Sequence, residues 1–272
     1  MRVTFVSRYP RVDTVAWKRR LGERLLDLGV ELSVVYSRAG FDDQLRAGLD
    51  EYGLGIFRRY ASLKARPGAG DDEPASQSLR SWAIERELPV SEHGRLGDPD
   101  CLAAVRAWKP DLLVLTGADI VPASLLDIPA AGTINPHYGL LPRYRGMNVT
   151  EWSIWHDDPV GVTVHLVEAG IDTGPTLLRE CVRVEPDDDL PDLRAKQQEL
   201  SARLLGDAVV ELRDGSAQPV PQRVEDGRQY YRMHPELLRV VERRLSSGEY
   251  RWTGEDATPG AIAPARAGAY AS

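Results

Sequence analysis

Cysteine is scarce: Cys101 and Cys181 are the only two in 272 residues, and they stand far apart. They form neither a CxxC pair nor a disulfide framework, so two buried free thiols in a reducing, cytoplasmic setting are expected. No apolar run approaches the ~18 residues of a membrane span. The opening MRVTFVSRYP holds too short an apolar stretch for a signal peptide, so no membrane partner is expected. A basic excess is missing as well, since the formal net charge is -7. Non-specific nucleic-acid binding draws on clustered Lys and Arg, so no nucleic-acid partner is expected.

Several functional signatures are also lacking. No GxGxxG follows the first apolar run, GLGIF (53–57) offers one GxG without a third glycine, and there is no Walker lysine loop. A dinucleotide or nucleoside triphosphate held in the usual ways is thereby disfavoured. The absence of GxSxG argues against a serine nucleophile and a covalent acyl-enzyme. His137, His165 and Asp172 are ligand types, but no HExxH or Cys/His spacing supports a metal, and none is expected.

What is present reads as alternating strands and helices. VTFV (3–6) is a buried strand. DTVAWKRRLGERLLDLG (13–29) follows at helical spacing, from a cap at Asp13 to a stop at Gly29, and VELSVVYS (30–37) returns to strand. This βαβ start predicts a parallel pair. A short helix is expected in DDQLRAGLDEYG, a loop over 65–78, a strand over 88–92 and a helix over 98–110. DLLVLTG (111–117) and AGTIN (131–135) are further strands. The rhythm predicts an α/β fold with a doubly wound, mostly parallel sheet. In such a sheet ligands bind beyond the carboxyl ends of the strands, where Gly117 and Asn135 fall. Downstream, the pattern predicts a helix in MNVTEWSIWHDD, strands over 161–170 and 176–185 around the turn IDTGP, and a long helix over 188–215. A catalytic domain over 1–215 is expected, then a small extension over 216–250 and a disordered tail over 251–272.

Three polar groups near the strand ends suggest chemistry. Asn135 and His137 flank Pro136, which narrows the backbone choices between them. Asp172 lies in the turn GIDTG. Each alone has a structural reading, as turn-former, solvated imidazole or cap. Together they suit attack of an amine on a carbonyl carbon. The amide donates to a developing oxyanion, the imidazole acts near neutral pH, and the carboxylate raises its proton affinity.

GTINPHYGLLPRYRGMN followed by GVTVHLVEAGIDTGP resembles the 10-formyltetrahydrofolate-dependent formyltransferase family, which includes methionyl-tRNA, glycinamide ribonucleotide and amino-sugar enzymes. The shared pattern is N-x-H-x-x-L-L-P-x-x-x-G, then G-x-T-x-H, then D-x-G. The general resemblance extends over roughly residues 1 to 210. It implies a Rossmann-like formyltransferase fold and 10-formyltetrahydrofolate as donor. It also implies that Asn135 binds the formyl oxygen, His137 assists proton transfer, and Asp172 orders a water and relays the amine's proton. The pterin would meet Leu140, Leu141 and Pro142, together with main chain around Gly117, Ile120, Val121, Pro122 and Gly170. His165 resembles a strand histidine of the family with a supporting role. Gly139 replaces a serine common in the family, Tyr138 replaces a small residue or proline, and SRYPR stands where the ribonucleotide enzyme has a glycine-rich phosphate loop.

The acceptor is a separate question. The tRNA enzyme carries a C-terminal barrel longer than the 57 residues after Gly215, and the hydrolase an N-terminal regulatory domain not expected here. RGMNVTEWSIW resembles a stretch of sugar N-formyltransferases. Arg8, Arg11, Arg143 and Arg145 are candidates for phosphates, and Tyr138 and Asn148 for the acceptor. Trp152, Trp155, Tyr230 and Tyr231 offer a stacking face, although Trp152 and Trp155 also suit a helix core. The expected acceptor is a small-molecule amine, first a nucleotide-linked amino sugar, then hydroxyornithine or another natural-product amine. A hydrolase, a non-catalytic folate-binding module and a homodimer stay open.

Overall fold

The computed structural model describes residues 1–8, 16–38, 78–118 and 120–252. The helix expected in DDQLRAGLDEYG, nearly all of the loop 65–78, GLGIF, Arg11 and the tail beyond Trp252 lie outside the described residues. The chain forms two compact units, Met1–Ile134 and Asn135–Ser272.

In the first unit, β1 (Arg2–Arg8), α1 (Ala16–Asp27) and β2 (Glu31–Ser37) make the expected βαβ. α2 (Leu79–Glu85), β3 (Val90–His93), α3 (Pro99–Trp108), β4 (Leu112–Leu115), α4 (Ala123–Leu126) and the start of β5 (Thr133–His137) follow. The hydrogen-bonded order is β3-β2-β1-β4-β5, and every pair is parallel. Strand order reverses between β1 and β4, and right-handed crossovers then put helices on both faces of the sheet. This is why β1, β2 and β4 are buried almost without alternation. α1 approaches α2 at Gly22, where a Cβ would meet the Trp82 ring at 2.3 Å. At the carboxyl ends of β1 and β4, Lys18 Nζ donates to Ser7 Oγ (3.1 Å), and Ser7 Oγ donates to Thr116 O (3.0 Å). Gly117 then leaves the strand at φ +90°, so β4 is shorter than the expected 111–117.

The second unit continues from Asn135 with β6 (Tyr144–Gly146), α5 (Val149–Trp155), β7 (Gly161–Leu166), β8 (Thr176–Cys181), α6 (Leu190–Asp214), β9 (Arg228–Tyr230) and α7 (Pro235–Ser246). β7 and β8 are antiparallel. β8 stops at Cys181, short of the expected 185, because its partner begins at Gly161, the residue opposite Cys181. β7 stops at Leu166, short of 170, where the chain turns back and Leu166 N donates to Pro175 O. α6 opens on a capping box between Asp189 and Asp192 and closes on Gly215 in the left-handed region. β6 and β9 form a parallel pair, Tyr144 opposite Arg228 and Gly146 opposite Tyr230. α7 packs on α5, burying Ile154, Met233, Val241, Leu245 and Tyr250.

Cys101 and Cys181 are both buried and not joined in a disulfide, and burial pushes the Cys101 thiol up to about 11. Among the described residues no helix is long and apolar enough to cross a membrane.

Candidate active site

β5 runs through His137 instead of ending at Asn135. Residues two apart on a strand share a face, so Asn135 and His137 project together. His137 is 6% exposed, and its Nε2 lies 2.7 Å from the carbonyl of Tyr144. A carbonyl only accepts, so Nε2 carries the proton and Nδ1 is the free ring atom. Nδ1 faces Asp172 Oδ2 at 3.4 Å. Asp172 stands in the turn between β7 and β8 at φ +54°, a conformation Asp tolerates better than most side chains. Its Oδ2 accepts from Gly146 N at 2.8 Å. From β7, His165 donates Nδ1–H to Leu166 O (2.8 Å) and accepts from Asn135 Nδ2 (3.3 Å). His165 Nε2 is 3.6 Å from Asp172 Oδ1.

Desolvation lowers the proton affinity of His137, Asp172 raises it, His165 lowers it, and the Tyr144 carbonyl raises it; the net direction is below the ordinary imidazole range. The ring is therefore neutral at pH 7. Burial would raise the Asp172 carboxyl, but the imidazoles of His165 and His137 and the Gly146 N–H together bring it down to about 2. The site thus pairs a neutral imidazole with a fixed anion. The second amide N–H of Asn135 has no partner among the described residues. This set can bind a developing oxyanion through Asn135, accept a proton at His137 Nδ1, and hold the resulting cation against Asp172.

The support around Asp172 was not foreseen in the sequence. Gln222 Nε2 donates to the backbone carbonyl of Asp172 (3.1 Å) and to that of Gly174. Val220 and Thr176 exchange two backbone hydrogen bonds. Gly146 sits so close to β9 that a Cβ would lie 2.2 Å from Tyr230 O. Residues 220–230 thus hold both the Asp172 turn and the strand that donates to its carboxylate. QPVPQ after a long helix carries no local signal for this.

The other expected residues scatter. Gly117, Ile120, Val121 and Pro122 belong to the first unit, where Ile120 is 89% exposed. Arg8 is half-buried in that unit. In the second unit Leu141 is fully buried, Leu140 and Pro142 are half-buried, and Gly170 is exposed at φ +124°. Arg143 pairs with Asp158 at 2.7 Å. Arg145 is 5% exposed; its Nη2 donates to Val224 O (3.1 Å) and Gly227 O (3.4 Å), while its Nε and Nη1 are buried without a hydrogen-bond partner among the described residues. Trp152 donates to Tyr231 O and packs against Tyr230 and His156, and Trp155 joins the α5–α7 core. Tyr231 is exposed. Asn148 and Tyr138 both line a cavity of about 250 Å³ beside His137. Among the described residues no group of three His, Cys, Asp or Glu is set to hold a metal ion.

Residues 65–209 match the family described as Formyl transferase. Among curated proteins, the methionyl-tRNA formyltransferase of Trichlorobacter lovleyi is 33% identical over 168 residues, 61% of this chain and 52% of that one. The Thermosynechococcus vestitus enzyme of the same name is 38% identical over 157 residues, 57% and 47% of the two chains. The chain thus spans about half the length of the curated relatives it matches. Among solved structures, a sugar N-formyltransferase from Shewanella aligns over 95% of both chains with TM-score 0.57 and 20% identity. Phosphoribosylglycinamide formyltransferase from Bacillus halodurans aligns over 78% of this chain and 95% of that one, with TM-score 0.54 and 21% identity. At these identities the solved structures establish the shared Rossmann-like fold.

Proposed function

Since the chain belongs to the formyl transferase family, we propose that it moves a formyl group from 10-formyltetrahydrofolate to a primary amine of a small molecule, a nucleotide-linked amino sugar. The observation that carries this reading is the convergence of Asn135, His137 and Asp172 within one unit, with His137 neutral and Asp172 ionised. Enzymes of this family use formyltetrahydrofolate, which supplies an electrophilic formyl carbon. The donor set here fits that group: the spare amide N–H of Asn135 is a hydrogen-bond donor for a formyl oxygen.

Each residue then has a task. Asn135, its amide turned by His165, donates to the oxygen on which negative charge develops. His137 Nδ1 takes the proton released by the attacking amine. Asp172 stabilises the imidazolium so formed, and the proton would pass through water to the donor's nitrogen as its bond to the formyl carbon breaks, leaving the amine formylated. Gly146 N–H and Gln222 keep Asp172 in place throughout. In the reading we favour, Leu140, Pro142 and the main chain around Gly170 meet the pterin. The sugar-amine acceptor is supported by the net charge of -7, which opposes a polyanionic partner, and by the ring-sized cavity beside His137. Solved structures of this fold include sugar N-formyltransferases.

The test is a mass-spectrometric amine screen with 10-formyltetrahydrofolate, reading products for the gain of one CO. The pool holds nucleotide amino sugars, hydroxyornithine and methionyl-tRNA. Formylation of a nucleotide amino sugar, lost in His137→Ala, is the expected result. Release of tetrahydrofolate with every amine untouched would replace transfer by hydrolysis. Formylated methionyl-tRNA would refute the small-molecule acceptor.

A further inference from the structure

The cavity beside His137 has a polar wall that the proton-transfer groups do not use. Glu151 on α5 is 1% exposed, and one of its oxygens, Oε1, pairs with Arg194 on α6. Its other oxygen has no hydrogen-bond partner among the described residues. Asn148 spends its Oδ1 on Met233 N (3.3 Å), and its Nδ2 is likewise unpartnered among them. Glu151, Arg194, Asn148, Tyr138 and His137 all line the same space. An ion pair whose cation is 43% exposed, as Arg194 is here, contributes little net stability. Tying α5 to α6 is therefore a poor reason for a carboxylate here.

The chemistry of the wall narrows what it can hold. Glu151 and Arg194 cancel in charge, so the wall suits a neutral polar group. A hydroxyl can donate to the free Glu151 oxygen and accept from Asn148 or Arg194 without parting the ion pair. A zwitterionic amino acid could use the same two charges only by separating them. The cavity measures about 250 Å³. That is room for one ring-sized group, with the rest of a larger substrate free to extend out of the opening.

We propose that this cavity is an acceptor subsite in which Glu151, Asn148 and Arg194 read the hydroxyls flanking the acceptor amine, selecting a hydroxylated amino sugar ring. The proposal rests on the formyl-transfer reading for its place in the reaction, but binding can be tested without turnover. Ligand-observed NMR on the full chain, with 2-, 3- and 4-amino-deoxyhexoses as probes, is expected to show saturable binding of at least one. Cyclohexylamine, which lacks the hydroxyls, and ornithine, the zwitterion, are expected to bind at least ten-fold more weakly. Glu151→Gln and Asn148→Ser should each weaken the aminohexose about ten-fold. Thermal melting of each variant checks that it folds, and Arg194→Gln provides a second disruption of the wall from a half-exposed position.

No aminohexose binding, ornithine binding best, or unchanged binding in folded Glu151→Gln and Asn148→Ser would overturn the proposal. The two readings fail separately. Aminohexose binding that needs Glu151, with no amine formylated in the screen, keeps the subsite and removes the reaction. A formylated nucleotide amino sugar whose KM is the same in both variants keeps the reaction and removes the subsite.

Discussion

Replacing Asp172 with Asn removes one charge and little else. The side chain keeps its shape, an amide oxygen can still accept from Gly146 N–H, and Asn tolerates the φ of +54° at this position. What is lost is the anion between His137 and His165. Its carboxyl is held at about 2 against an ordinary 3.8. At ~1.4 kcal/mol per ten-fold change in proton affinity, that depression corresponds to about 2 kcal/mol of folding stability. The native state binds this proton more weakly than the unfolded chain. The contribution is therefore complete above the unfolded value of 3.8 and is lost as pH falls through about 2. Asp172→Asn is thus expected to be about 2 kcal/mol less stable than the parent at pH 7, with the gap closing toward pH 2. Urea denaturation followed by fluorescence at pH 7, 4 and 2.5 measures it. Formyl transfer by the same variant should be lost at every pH, because His137 no longer has an anion to stabilise its protonated form. Equal stability at pH 7, or a gap independent of pH, would refute the electrostatic account of this site, and full activity would refute its role in proton transfer.

Two further outcomes follow from the support around that carboxylate. Gln222→Ala frees the Asp172 turn from its hydrogen bonds to residues 172 and 174, and a misplaced catalytic group costs up to ~10²-fold in rate. Steady-state kinetics should show kcat falling at least ten-fold with KM for both substrates nearly unchanged, and a parallel rise in KM would make Gln222 a binding residue instead. Gly146→Ala places a Cβ 2.2 Å from Tyr230 O at a φ of +97°, so β6 and β9 must part. A loss of about 3 kcal/mol is expected from strain and clash together; an unchanged melting temperature in calorimetry would show that β9 is free to move.

Much of this protein is legible without coordinates. The first βαβ, the continuous apolar strand at 112–115 and the long helix ending at Gly215 all follow from local periodicity and caps, because their residues answer to neighbours a few positions away. The pairing of Asn135 with His137 is also local, since alternate residues of one strand share a face whatever lies beyond. The surroundings of Arg145 are illegible in the sequence for the opposite reason. In the sequence it is one more cation in RYRG, and only the path of residues 224–227 over it shows that its Nη2 donates to backbone carbonyls while its Nε and Nη1 are buried without a partner among the described residues. β6 and β9 have three residues each, too few for a pattern, and exist because they find one another across more than eighty positions. Gln222, Gly146 and His165 reach the Asp172 turn in the same way, through contacts 50, 26 and 7 residues away in the chain. The amino-acid order by itself determined the alternating architecture and which polar groups could do chemistry. Only tertiary structure decided that His137 is desolvated and neutral, that Asp172 is held as an anion, and which side chains keep it there, because proton affinity depends on the dielectric and charges brought close by folding.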